Sequence, residues 1–394
     1  MSINTLKKKI LFLGIKEYPY GALSIKSERA GGGTSKNAVY LARSLNILYN
    51  VDIICQSSGK LDNFDSDLKV HRVPKFSIRY FDFLIFHFLS FISSLSLLKR
   101  NKYDLIYTSS TYGIFFAVII SKIFKIPVIG MPRAGGPNFI KMAFKSSNFI
   151  TNAFVLILNF FNNCLIWLSF PRLSSLVCLS DYETSQYDDF ISTKVLKQIP
   201  NPIISRTSIK NKSMDSSFQY IYIGRLSAYK NLENLIEAFS IINNEHPKTT
   251  LTIIGSGEMK ERLMYLVNTK KLVSSVNIEG FKKNIFPYLE SSNILVLPSD
   301  TEGMPTVVLE AASVNVPSIV GKWGNDIFPV GVTHVLEDVT PTSIYASLKW
   351  AYDERNSVLE MGKAASKYFS IEYSFQNVAK KHINLVRENL KDVR

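Results

Sequence analysis

Short β-rich runs alternate with helical stretches from one end of the chain to the other. Ile10–Ile15 is apolar throughout, as expected of a central parallel strand covered on both faces. A glycine loop at Gly31–Gly33 follows, and then NAVYLARSLN places Val39, Leu41, Ala42 and Leu45 at helical spacing. VDIIC (51–55), LKVHRV (68–73), DLIYTS (104–109) and PVIGM (127–131) repeat the strand pattern, and SLVCLS (175–180) and VLKQIPNP (195–202) close the first half. The stretch ISRTSIKNKSMDSS is polar, rich in Ser and Lys and without periodicity, which predicts a linker at 204–217.

Alternation then restarts. FQYIYIG (218–224), TTLTIIG (249–255), VNIEGF (276–281), NILVLPS (293–299) and VPSIVG (316–321) read as strands, and ENLIEAFSII reads as a helix. Repeated strand–helix units in both halves imply an α/β protein whose parallel sheets are covered on both faces. The expected domains are a Rossmann-like domain at 1–203, the linker at 204–217 and a second Rossmann-like domain at 218–372. A C-terminal helix at 373–394 completes the division. Ligands of such sheets bind beyond the carboxyl ends of the strands, so a central cleft faced by both sheets is the expected site.

Two apolar stretches pose a membrane question. Residues 83–98 are too short for a span of about 20 apolar residues and contain His87. Residues 153–170 come nearer, but Asn159, Asn162 and Asn163 fall on one helix face. Three readings stay open: a buried or amphipathic helix, an in-plane membrane contact helped by Lys141 and Lys145, or a true span. The opening apolar run is only six residues and no small-residue cleavage site follows, so it reads as a strand and not as a secretory leader.

Charge narrows the ligands. A net charge of +14 attracts polyanions: nucleotide phosphates, anionic lipid headgroups or nucleic acid. No zinc-finger or RNA-binding signature is present, which sets nucleic acid aside. The three cysteines, Cys55, Cys164 and Cys178, make neither metal-ligand spacing nor a disulfide framework, as in a reducing cytosol.

Chemistry concentrates in the second half, in four blocks: GRLSAYKN (224–231), GSGE (255–258), EGF (279–281) and SDTEGMPTVVLEAA (299–312). In the first, Arg225 and Lys230 sit between a strand and a helix. Two fixed cations beside a helix N-terminus can stabilise a departing diphosphate in place of a divalent metal; otherwise they are loop cations. In the last, Pro305 suits the first position of a helix. Glu302 then precedes that helix and Glu310 lies inside it. These two carboxylates can accept hydrogen bonds from sugar and ribose hydroxyls, or they are a dipole partner and a solvated helix glutamate. Asp65–Asp67 is a D-x-D in a polar turn and Gly255–Gly257 lacks the third glycine of a dinucleotide fingerprint, so neither carries an alternative.

The order GRL-x3-K, G-x-G-E, a strand ending in Gly, and P-S-D-x-E-G-M-P-x4-E-A resembles the second domain of glycosyltransferase family 4, which has the GT-B fold of two Rossmann-like domains. The resemblance runs through most of 218–330. It implies a retaining, metal-independent transferase that uses a nucleotide-sugar donor, UDP before GDP, and no cofactor. It implies that Arg225 and Lys230 grip the donor diphosphate, Glu302 contacts the donor sugar and Glu310 the ribose. The nucleobase then lies near Gly255, Gly280 and Phe281, and backbone amides of Gly303, Met304 and Pro305's neighbours meet the donor.

The resemblance also implies that 1–203 binds the acceptor, that 218–372 binds the nucleotide-sugar and that the helix at 373–394 crosses back to the first domain. In the first half, Gly32 and Gly33 resemble the family's glycine-rich loop. The family's histidine near the reacting carbon is replaced by Met131-Pro132-Arg133, and Arg133 is assigned to the acceptor or the sugar. The family's glycine in the A-x-G-x-P segment is Asn315. The basic balance, with Lys7–Lys9 and Lys99–Arg100, and the apolar N-terminal helices, 153–170 above all, suggest a lipid-linked glycan acceptor at an anionic membrane surface, in surface polysaccharide assembly on the cytoplasmic face. The alternative function is a non-catalytic sugar-nucleotide or glycan-binding subunit of the same fold.

Overall fold

A computed structural model describes residues 7–17, 33–56, 68–74, 82–132, 149–188, 190–192, 195–203 and 217–391. Gly32, Arg133, the D-x-D at 65–67 and the linker lie outside the described residues, apart from Ser217 at the linker's end. The chain divides into two compact units. One holds residues 1–139, 156–201 and 376–394; the other holds 140–155 and 202–375.

The first unit is built on seven parallel strands: β1 (Lys9–Glu17), β2 (Asn50–Gln56), β3 (Lys69–Val73), β4 (Leu105–Thr108), β5 (Val128–Gly130), β6 (Ser175–Cys178) and β7 (Leu196–Gln198). Their order is β3-β2-β1-β4-β5-β6-β7. The register runs Ile10 to Val51 on one side of β1 and Ile10 to Leu105 on the other. The central strands β4, β5 and β6 are buried at every position, which is why they read as continuous apolar runs and not as alternating ones.

Helices α1 (Gly33–Asn46), α2 (Asp82–Arg100), α3 (Thr111–Phe124), α4 (Phe149–Ser169), which belongs to this unit from Leu156 on, and α5 (Asp181–Ser185) accompany the strands. Ser110 caps α3, its hydroxyl accepting from the Gly113 amide at 2.9 Å. Phe86 of α2, Ile114 of α3 and Phe170 pack with Leu11, Ile106, Val128 and Leu176 in one core. Among the described residues no helix is long and apolar enough to cross a membrane.

The second unit repeats the theme with β8 (Phe218–Ile223), β9 (Thr249–Ile254), β10 (Val276–Gly280), β11 (Ile294–Leu297), β12 (Ser318–Val320) and β13 (His334–Val335). The order is β10-β9-β8-β11-β12-β13, all parallel. Helices α6 (Leu232–Glu245), α7 (Lys260–Thr269), α8 (Phe286–Ser291), α9 (Thr306–Ala312), α10 (Pro341–Asp353) and α11 (Arg355–Glu372) surround it. Pro305 is the N-cap of α9, one place earlier than the sequence predicts, because its ψ of 116° lies outside the helical region. Asn315 adopts a left-handed φ of 57°, a conformation that Asn tolerates nearly as well as the glycine it replaces.

The last helix, α12 (Phe375–Lys391), belongs to the first unit. Its buried face carries His382 and Asn389. The His382 Nδ1 lies 2.9 Å from the Tyr107 hydroxyl on β4, and Asn389 donates to Ser175 Oγ on β6 at 3.0 Å.

Asp52 on β2 is buried, yet it is charged at neutral pH because three groups meet it. Tyr103 donates at 2.5 Å, and His71 and Lys9 each lie at 3.3 Å. Burial pushes its carboxyl up, but the bonds from His71 and Tyr103 and the Lys9 charge outweigh that, so its pKa is lower than usual. A depressed folded-state pKa stabilises the fold above the ordinary carboxylate value, about 3.9, and the contribution disappears as pH falls through the lower folded value. Asp52→Asn is therefore expected to cost about 1–3 kcal/mol at pH 7. The variant should also show a weaker loss of protection in acid. Amide exchange of β1 and β2 across pH measures both; equal protection at pH 7 would remove Asp52 from this role.

Candidate active site in the second unit

The four sequence blocks occupy the loops that leave the carboxyl ends of β8, β9, β10 and β11. Parallel strands bring these ends to one edge of the sheet, and backbone bonds stitch the loops together there. Gly224 donates to Ile254 at 3.0 Å, Leu226 to Ser256 at 3.0 Å and Gly255 to Gly280 at 2.8 Å. The approach is too close for side chains. A Cβ at Gly255 would sit 1.8 Å from the Gly224 carbonyl oxygen, and one at Gly257 would sit 2.2 Å from that of Leu226.

Arg225 is exposed on the loop after β8. Lys230 ends a 3-10 turn over Ala228–Lys230 and is only 7% exposed, so it is not a surface cation. Its Nζ donates to Glu302 Oε1 from the loop after β11, and the Ser299 hydroxyl donates to the same oxygen at 2.8 Å. The Tyr229 ring lies 4.8 Å from the ammonium. The structure thus joins two residues, 72 apart in sequence, to which the resemblance gives separate ligand contacts.

Asn231 locks the two loops. It stands in the left-handed region at φ 53° and donates to the Pro298 carbonyl at 3.0 Å and to Asp300 Oδ1 at 2.8 Å. The Asp300 amide donates to Tyr229 O at 2.9 Å. Beneath them the buried Trp323 donates from Nε1 to Ser299 O at 2.9 Å. Tyr222, the last but one residue of β8, donates to Arg225 O at 2.7 Å. Burial, and then the nearby Glu302 charge, push this phenol's pKa well above its usual range, so it keeps the proton it donates.

The remaining expected residues fall around this centre. Gly280 closes β10 with φ 69° and Phe281 beyond it is exposed. Met304 is buried, whereas Gly303, Pro305 and Glu310 are half-buried at the start of α9 or within it. Gly33 is the first residue of α1, in the first unit. Ser299, Asn231, Tyr222 and Trp323 were not identified as site residues from sequence. Ser299 and Asn231 stand inside the quoted blocks, and a left-handed Asn next to a helix start is a recognisable cue. Tyr222 and Trp323 carry no such signal, because aromatic residues in or after a strand are ordinary core residues.

What the arrangement can do follows from its charges. A buried ammonium, an exposed guanidinium and peptide N–H groups at the start of α9 form an electropositive edge. Glu302 balances the ammonium until a stronger anion competes for it. Carboxylates at Glu302 and Glu310 supply acceptors for hydroxyl groups.

Comparison with known proteins bears on the family and the fold. A family model for glycosyl transferases group 1 matches residues 205–368, and one for Glycosyltransferase Family 4 matches residues 31–204. An Escherichia coli UDP-Gal:alpha-D-GlcNAc-diphosphoundecaprenol alpha-1,3-galactosyltransferase is 28% identical over 294 residues, 70% of this chain and 72% of that one. Sucrose-phosphate synthase from Thermosynechococcus elongatus superimposes with a TM-score of 0.78 at 15% identity, covering 98% of this chain and 100% of that one. Anabaena HepE, solved in complex with UDP and glucose, gives 0.70 at 14% identity, covering 96% and 99%. Matched across both halves by sequence and sharing the fold of these transferases, the chain belongs to glycosyltransferase family 4, with the two Rossmann-like α/β units of the GT-B fold.

Proposed function

We propose that this glycosyltransferase moves a sugar, with retention of anomeric configuration and without a metal, from a UDP-sugar to a lipid-linked glycan in bacterial surface polysaccharide assembly. The observation that carries the reading is the buried Lys230–Glu302 pair at the carboxyl edge of the second sheet. Removing an ammonium from water costs several kcal/mol, and well-packed apolar residues would often serve stability as well or better. A charge kept there at that cost fits a task in which it meets an anion.

In the proposed reaction the donor diphosphate competes with Glu302 for Lys230 and draws in Arg225. Glu302, released, accepts from hydroxyls of the donor sugar, and Glu310 accepts from those of the ribose. The bond from the anomeric carbon to the diphosphate oxygen breaks while the acceptor hydroxyl bonds to the same face. The acceptor proton passes to the leaving oxygen, so no strong protein base is needed. Positioning and charge stabilisation supply the rate. The HepE complex with UDP and the E. coli relative's UDP-Gal donor support UDP here, and that relative's diphosphoundecaprenol acceptor supports a lipid-linked one.

The acceptor reading has a surface to match. Leu84, Phe88 and Ile92 lie exposed on one face of α2, and Leu156, Phe160 and Trp167 on α4, with Phe160 and Trp167 each 65% exposed. Such a stripe, with a basic protein behind it, suits the in-plane membrane contact.

Single-turnover transfer from UDP-sugars in excess EDTA tests the chemistry. Wild type is expected to turn over, and Arg225→Ala and Lys230→Ala each to lose about 2.7–4 kcal/mol of transition-state stabilisation. Near wild-type rates in both variants, a dead wild type under EDTA, or donor binding without consumption would each defeat this reading. For the membrane contact, Phe160→Ser/Trp167→Ser is expected to reduce flotation with anionic liposomes by roughly tenfold or more, given about 1.5–3 kcal/mol per buried large apolar side chain. Unchanged flotation would remove the stripe from lipid binding.

A further inference from the structure

A second electropositive site lies in the first unit, at the end of the sheet opposite to the carboxyl edge. A cavity of about 540 Å³ opens between the start of β4, the start of β5 and the ends of α2 and α3. Lys8, Lys99, Arg100, Lys102 and Lys125 line it, with Asp104 as the lining acid. Lys8 already pairs with Asp104 at 2.8 Å. Among the described residues the other four have no ion-pair or side-chain hydrogen-bond partner.

Helix ends account for part of this charge. The C-termini of α2 and α3 lie at the cavity, and Leu390 from the end of α12 lines it too. Each C-terminus carries roughly −0.5 charge, so three balance about one and a half cations. A surplus of about two and a half positive charges remains. Capping therefore cannot explain the cluster, and a single carboxylate would leave most of the surplus unbalanced. A phosphate or diphosphate group neutralises it, and the Arg100 fork and three lysines match its several oxygens. Leu98 and Phe124 add apolar wall beside the cations.

We infer that this cavity binds a phosphate-type polyanion, carried either by a phospholipid headgroup or by a free diphosphate, at a site separate from the donor site. The inference does not rest on the donor reading, because its residues belong to the first unit alone, whereas its headgroup source deepens the proposed membrane contact.

The test uses the full chain on an Arg225→Ala/Lys230→Ala background, which removes the cations assigned to the donor. Pyrophosphate is titrated calorimetrically, and sedimentation is measured with phosphatidylcholine vesicles with and without phosphatidylglycerol. Arg100→Ala/Lys125→Ala alters two exposed side chains. Lys380→Ala/Lys381→Ala, exposed on α12, is the charge-matched control, and Arg100→Gln/Lys125→Gln replaces the alanine pair if that pair misfolds. The cavity variant is expected to weaken binding about tenfold or more in at least one arm, with the control unchanged. Loss in the pyrophosphate arm identifies a free phosphate; loss confined to anionic vesicles identifies a headgroup. Equal binding by variant and parent in both arms, no binding by the parent, or an equal loss in the control overturns the inference.

Discussion

Lys230 is buried, and an ammonium taken out of water needs a partner of opposite sign, which Glu302 provides. That requirement organises the second unit's carboxyl edge. It draws the loop after β11 onto the loop after β8, and Asn231, Asp300 and Tyr229 fasten the two together. Ser299 supplies a second bond to the same carboxylate oxygen, and Trp323 holds Ser299 by its carbonyl. The pair therefore stands on a rigid base, the condition under which fixed charges stabilise a reaction without reorganising.

Glycine spacing serves the same end. The loops after β8, β9 and β10 touch through backbone, with Gly255 and Gly257 leaving room for neighbouring carbonyls. Loops joined in this way bring peptide N–H groups and side chains from separate strands to one edge. Such an edge can present several donors to one anion, which a single loop cannot.

The first unit distributes its charge differently. Inside, Asp52 is compensated by Tyr103, His71 and Lys9. Outside, cations gather at the ends of α2 and α3, and apolar side chains stand exposed along α2 and α4. The second unit thus buries the Lys230–Glu302 pair at its carboxyl edge, and the first buries a compensated carboxylate while gathering exposed cations at the ends of two helices.

Sequence by itself determined the element types, since periods of 2 and 3.6 and continuous apolar runs are local properties, legible at β4, β11 and α6. It also determined which blocks carry chemistry, because glycines and charges at fixed spacing mark strand-to-helix loops. Tertiary structure decided who meets whom. Lys230 and Glu302 are 72 residues apart, and nothing local states that they share a bond. Tyr222 looks like any aromatic strand residue until β8 ends under the Arg225 carbonyl. Phe88 and Phe86 are the same residue type two positions apart, yet one is exposed and the other buried. Only packing against α3 and the sheet chooses between them, because hydrophobicity drives burial without specifying the partner.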